Sequence, residues 1–176
     1  MDNQNLLEIF KKLAQNYSSA FTYCWYHPQT GFWLGASPES LLKLDGKSLS
    51  TMALAGTQIF KSSEEVEWDS KNIEEHAFVT DYLLEVLSDY LDSIKISEPQ
   101  TFKAGELLHL QTLITGRLKP THQSLKQLLQ SMHPTPAVCG SPREAALEFI
   151  NSNEPYDREF YAGFFGELNI PMESTF

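Results

Sequence analysis

The chain has 176 residues, of which 41% are hydrophobic and 12% aromatic, enough to bury a core in a single domain. Its net charge is −10, with 23 acidic residues against 13 basic ones, which excludes nucleic acid and anionic membrane as natural partners because both require a basic surface. The same balance means that an anionic ligand would need positive charge from elsewhere. In chain order, "NLLEIFKKLAQNY" places Leu6, Phe10 and Leu13 on one face and predicts an amphipathic helix. The aromatic run "AFTYCWYHPQTGFWLGAS" predicts a hairpin around "HPQTG", with Cys24 as a small core residue. "LLKLDGKSLSTMALAG" predicts a second hairpin around Asp45-Gly46. Ser62 followed by Glu65 has the pattern of a capping box, and Ile73, Ala77, Leu83, Leu84, Leu87 and Leu91 recur at helical spacing. Together they predict a long helix from about 64 to 92, either continuous or broken near Asp69.

"SIKIS" and "GELLHLQTLITGRLK" predict strands, and "HQSLKQLLQSM" a helix of about three turns. The stretch "HPTPAVCGSP" holds three prolines and a glycine in ten residues, a composition that excludes a helix or central strand and predicts a stiff, ordered turn. "SPREAALEFINS" predicts a helix with Ser141 as N-cap and Pro142 at its first position. "REFYAGFFGELNI" predicts a final strand interrupted by Gly163 and Gly166. Hairpins beside helices, without βαβ alternation, define an α+β class with antiparallel sheets and flanking helices. Two cysteines without CxxC spacing, no charged leader before an apolar run and no apolar run of membrane-spanning length fit a reducing cytoplasm.

No phosphate-binding, nucleotide-binding or hydrolase motif is present, so chemistry must come from polar residues in apolar or tightly turned surroundings. Glu39 follows "GASP" and reads either as a cleft-facing carboxyl or as a helix-initial glutamate behind a Ser37 cap. On the long helix, adjacent residues point about 100° apart, so Glu74 and Glu75 cannot serve one bidentate site. Glu75 shares a face with Val79 and Tyr82 and is the inward carboxylate of the two; the alternative is a solvated residue paired with Lys71. His109 lies between leucines and, on a strand, points away from Leu108 and Leu110, as a satisfied core histidine or as a site residue. Arg158 and Tyr161 stand beside glycines that allow either a bend or close approach of a ligand. Thr135 in "HPTP" is the loop residue expected to face a ligand, whereas Cys139 has no adjacent base and reads as filler.

Six segments in order, "GASPESLL", "MALAGTQ", "KNIEEHAFV", "HLQTLITGRL", "HPTPAVCGSP" and "EPYDREFYAGFFGEL", resemble the chorismate-binding enzymes across nearly the whole chain. That family includes isochorismate, anthranilate, aminodeoxychorismate and salicylate synthases. The resemblance implies part of an α-β-β-α sandwich, chorismate as substrate and Mg²⁺ as cofactor. It implies Glu39 as general acid, Glu75 as a Mg²⁺ ligand, and Gly56 and Thr57 as a substrate-contacting loop. It places His109 near the substrate ring and Tyr161 near a substrate carboxylate. Ala55 stands where aminodeoxychorismate synthases carry a lysine nucleophile, and "HPTPAVCG" is most similar to isochorismate synthases. That subgroup implies an isomerase feeding menaquinone or a catecholate siderophore. Anthranilate-type amination of chorismate and a non-catalytic binding module are the alternatives.

The resemblance covers the middle of the family's catalytic domain, over residues 1–176. No residue of this chain matches the family's base lysine or its second Mg²⁺ glutamate, and Lys11 and Lys12 lie in the first helix outside that motif. The expectation is a chain inactive by itself, with strand edges available for self-association.

Overall fold

The computed structural model describes residues 3–61, 66–120 and 124–169. Helix α1 spans Asn3–Asn16, and Leu6, Phe10 and Leu13 are its half-buried residues, as their spacing predicts. Strands β1 (Phe21–His27) and β2 (Gly31–Ser37) form a two-stranded antiparallel sheet closed by the loop 28–30. Cys24 is exposed on this hairpin rather than buried in a core, because a two-stranded ribbon leaves one of its faces to solvent.

The second sheet contains β3 (Lys43–Asp45), β4 (Ser48–Ile59), β5 (Leu91–Ile96), β6 (Gln100–Ala104) and β7 (Leu107–Leu118). All of its pairings are antiparallel, in the order β3-β4-β7-β5, and β6 follows β5 along the same side of β7. Leu49, Thr51, Ala53 and Ala55 of β4 are buried at period two. They face helix α2 (Ser70–Ser88), whose buried stripe is His76, Val79, Leu83 and Leu87. Leu91, Ile114 and two residues of helix α3 (Leu125–Met132), Leu128 and Met132, complete the core. The Tyr82 hydroxyl donates to the Ser131 carbonyl at 2.7 Å and tethers α2 to α3.

Helix α2 is shorter than the 64–92 that its apolar spacing predicts. Asp69 is its N-cap, with a side chain that accepts the Asn72 N–H, and residues 66–69 approach it without helical structure. The Ser62–Glu65 capping box lies outside the described residues. At the other end Leu91 belongs to β5, where it is buried in the same core that the helix serves.

"HPTPAVCGSP" is ordered, but it holds a single helical turn, α4 (Pro136–Cys139). Pro136 stands at the first helical position, where its missing N–H is of no consequence, so the prolines do not exclude helix there. Helix α5 runs Arg143–Asn153 with Pro142, not Ser141, at the N-cap position. The start is anchored instead by the Arg143 side chain, which donates to the carbonyls of Gln130 at 2.9 Å, Ser131 at 3.3 Å and His133 at 2.6 Å.

The final strand predicted over "REFYAGFFGELNI" does not form among the described residues. Glu159 and Ala162 have φ of 47° and 61°, and turn bonds join the Tyr161 and Gly163 N–H groups to the Arg158 and Phe160 carbonyls. The aromatic alternation that reads as a strand packs onto the hairpin instead. Trp25 and Trp33 meet Phe160 edge-on, and Phe165 stacks on Trp25 at 6.3 Å.

Candidate active site

Long-range pairing brings three of the expected site residues together. Strands β4 and β7 pair in regular register up to Ala55↔Leu110 and resume at Thr57↔His109, leaving Gly56 as the extra residue of a β-bulge. Gly56 has φ of 75°, a left-handed conformation that a side chain resists. The bulge turns Thr57 out of the buried row, and its Oγ1 lies 3.1 Å from His109 Nδ1. His109 is half-buried on the face opposite Leu108 and Leu110, both of which are buried. The histidine is thus a partnered residue at the open side of the sheet rather than part of the core.

The bulge is also joined to α2. The Thr57 N–H donates to Asn72 Oδ1 at 2.9 Å, and Asp69 Oδ1 accepts both the Asn72 N–H at 2.8 Å and its Nδ2–H at 2.9 Å. Neither Asn72 nor Asp69 stands out as a site residue in the sequence. The only legible signal is that Asp69 precedes Asn72 by three residues at a helix start, a pattern that reads as ordinary capping.

One turn further along α2, the expected orientation is reversed. Glu75 is exposed, and its neighbour His76 takes the inward position at 3% exposure, with Nε2 at 2.8 Å from the Thr112 hydroxyl. The stripe His76, Val79, Leu83, Leu87 is the face that fits the sheet, and Glu75 lies about 100° around the axis from it. The Lys71–Glu75 ion pair is not formed among the described residues, where Arg158–Glu154 is the salt bridge present.

Glu39 follows β2 in a non-helical segment, so it is not a helix-initial glutamate. Its N–H donates to the Ser37 hydroxyl at 3.3 Å, which makes a local turn. Burial pushes its carboxyl above the ordinary glutamate range, with no cation bridging it among the described residues. Thr135 is 3% exposed, and its hydroxyl has no hydrogen-bond partner there. Tyr161 is exposed on a turn. No hydrogen bond among the described residues links Glu39, Thr135 or Tyr161 to the Thr57–His109 pair. Cys139 is buried, and burial pushes its thiol up, consistent with filler and not with a nucleophile.

A Mg²⁺ ion needs six oxygen ligands in near-octahedral geometry. No group of three or more His, Cys, Asp or Glu side chains converges among the described residues. Glu75 is a single exposed carboxylate, and Mg²⁺ is commonly held by one or two carboxylates, with water and substrate oxygens completing the octahedron.

An antiparallel sheet backed by helices, with a bulge that presents a glycine, a threonine and a histidine on adjacent strands, is the framework on which comparison with known proteins bears. A family model described as chorismate binding enzyme matches residues 1–176, and the chain belongs to that family. It is 32% identical to isochorismate synthase DhbC of Bacillus subtilis, over 90% of this chain and 44% of the relative. It is 34% identical to isochorismate synthase EntC of Escherichia coli, over 94% of this chain and 44% of that protein. The fold superimposes on the structure of MenF, the menaquinone-specific isochorismate synthase of Escherichia coli, with a TM-score of 0.78 at 25% identity, over 88% of this chain and 37% of the other. The chain therefore spans less than half the length of the relatives it matches. No helix among the described residues is long and apolar enough to cross a membrane.

Proposed function

We propose that the chain is the central part of an isochorismate synthase, acting in menaquinone or siderophore biosynthesis. The reaction adds water at one ring carbon of chorismate, expels the hydroxyl from another and shifts the double bond, so substrate and product are isomers. The departing hydroxyl needs a proton, and the supporting observation is Glu39, a carboxyl whose pKa burial raises above the ordinary glutamate value, the direction a proton donor requires. In this reading the Gly56 amide and Thr57 contact the substrate, His109 stands beside the ring, and Thr135 and Tyr161 approach the carboxylates. The Thr135 hydroxyl, buried and without a hydrogen-bond partner among the described residues, has hydrogen-bonding capacity to spare.

Mg²⁺ belongs to the proposal for a protein of the relatives' full length, where Glu75 would supply one carboxylate and the metal the positive charge that a −10 chain lacks. No step assigned to the residues of this chain passes through it. Because no residue here matches the family's base or second metal carboxylate, the 176-residue chain alone is proposed to be inactive. Isochorismate formation is the test. A protein of full length should convert chorismate, and Glu39→Gln should lower its kcat by roughly 10²-fold or more, as loss of a general acid does. Full activity in that variant would sink the general-acid assignment, and Mg²⁺-dependent turnover by the 176-residue chain would overturn its proposed inactivity.

A further inference from the structure

Asn72 is positioned for a task that its neighbours cannot share. The Thr57 N–H can only donate and the Asp69 carboxylate can only accept, so the Asn72 carboxamide has one allowed orientation, Oδ1 toward Thr57 and Nδ2 toward Asp69. An aspartate of the same shape would set two carboxylates against each other at the 2.9 Å of the present Asp69–Asn72 contact. The contact with the bulge is also steric. A Cβ on Gly56 would lie 3.0 Å from the Asn72 carbonyl oxygen and 3.3 Å from its Cβ, so the first turn of α2 rests directly on the bulge. Thr57 then carries the constraint across the sheet, because its backbone is held by Asn72 and its hydroxyl meets His109 Nδ1 at 3.1 Å. With Nδ1 engaged, Nε2 is the ring nitrogen left for a ligand.

We infer that Asn72, clamped by Asp69, is a positioning residue. It holds the Thr57 backbone so that the Thr57 hydroxyl sets the orientation of the His109 ring. Its catalytic consequence rests on the reading of His109 as a substrate-facing residue, whereas the coupling itself does not. The helix that carries Glu75 and the strand that carries His109 are thereby locked in one arrangement through a chain of side-chain bonds.

The test reads the His109 ring directly, by long-range proton–nitrogen NMR of the histidine-labelled 176-residue chain. Assignment uses His109→Gln among the five histidines. Thr57→Val removes the direct bond and should move both ring nitrogens of His109. Asn72→Ala should move them in the same direction by at least half as much. Asn72→Asp, nearly isosteric, should do the same at neutral pH, and the exchange Asp69→Asn with Asn72→Asp should return them toward wild type. A purely structural Asn72 would lower the melting temperature and leave the His109 resonances in place, which would overturn the inference. Resonances unmoved by Thr57→Val would overturn it as well. In a protein of full length that converts chorismate, Asn72→Ala should lower kcat roughly 10- to 100-fold with KM within about threefold, the scale of a misplaced catalytic group. Unchanged kcat there would refute the catalytic part. Absence of turnover in the parent would instead refute the proposed function, while the NMR result would still decide the coupling.

Discussion

Gly56→Ala isolates how tightly the bulge is packed against α2, and Gly31→Ala is its matched control. The two glycines have φ of 75° and 76°, so an alanine meets the same backbone strain at either, about 1–2 kcal/mol for the left-handed region. Their surroundings differ. Nothing lies within 4 Å of a Cβ built at Gly31, whereas one at Gly56 meets the Asn72 carbonyl oxygen at 3.0 Å and its Cβ at 3.3 Å. Both obstacles belong to the start of a helix, not to the far end of a flexible side chain, so α2 must shift by a few tenths of an ångström. Overpacking of this kind adds roughly 1–3 kcal/mol. Gly31→Ala should therefore destabilise by about 1–2 kcal/mol and Gly56→Ala by about 2–5 kcal/mol. For a chain of this size a difference near 2 kcal/mol corresponds to about 4–8 °C in Tm. Urea unfolding with a common m-value measures it. Equal losses in the two variants, within about 0.5 kcal/mol, would refute a bulge packed on the helix and leave backbone strain as the whole effect.

Three further outcomes follow from single sites. Burial raises the folded-state pKa of Glu39, so the fold binds that proton more tightly than the unfolded chain does. The contribution to stability is full below the unfolded glutamate pKa of roughly 4.3 and is lost as pH rises through the folded value. Glu39→Gln should accordingly equal or exceed wild type in stability at pH 7, with the gap narrowing toward pH 4 in denaturation series at both pH values. A variant less stable at pH 7 than at pH 4, relative to wild type, would contradict that sign. Thr135→Val removes a buried hydroxyl that has no partner among the described residues, and calorimetric melting should show a change between zero and about 1 kcal/mol of stabilisation. Arg143→Lys should lose about 1–3 kcal/mol, because a single ammonium cannot reproduce the fork that joins the Gln130, Ser131 and His133 carbonyls; an unchanged denaturation midpoint would remove Arg143 as the α3–α5 link.

The family was legible in the sequence because its residues sit in short contiguous segments whose order survives translation into any fold. The two hairpins and the stripes of α1 and α3 were legible for a related reason: turn chemistry and helical period are local properties. Where local pattern and tertiary packing competed, pattern misled. Alternating aromatics over residues 158–169 have the period of a strand, yet a strand requires a ladder partner. These side chains found Trp25 and Trp33 instead. Glu75 and His76 differ by one position, and only the sheet against α2 decided that the histidine would be the buried one.

Residue types and the elements that carry them can be read along the chain: an acidic balance, a glycine-threonine pair at the end of one strand, a histidine in another and a carboxylate helix between. Their spatial relation arises only on folding. Thr57 and His109 are 52 residues apart, and their contact depends on the register of β4 against β7 and on one extra residue at Gly56. The bond from Thr57 to Asn72 depends on where Asp69 starts the helix. Register, bulge and docking are set by pairings between distant segments, and no local period or propensity encodes them.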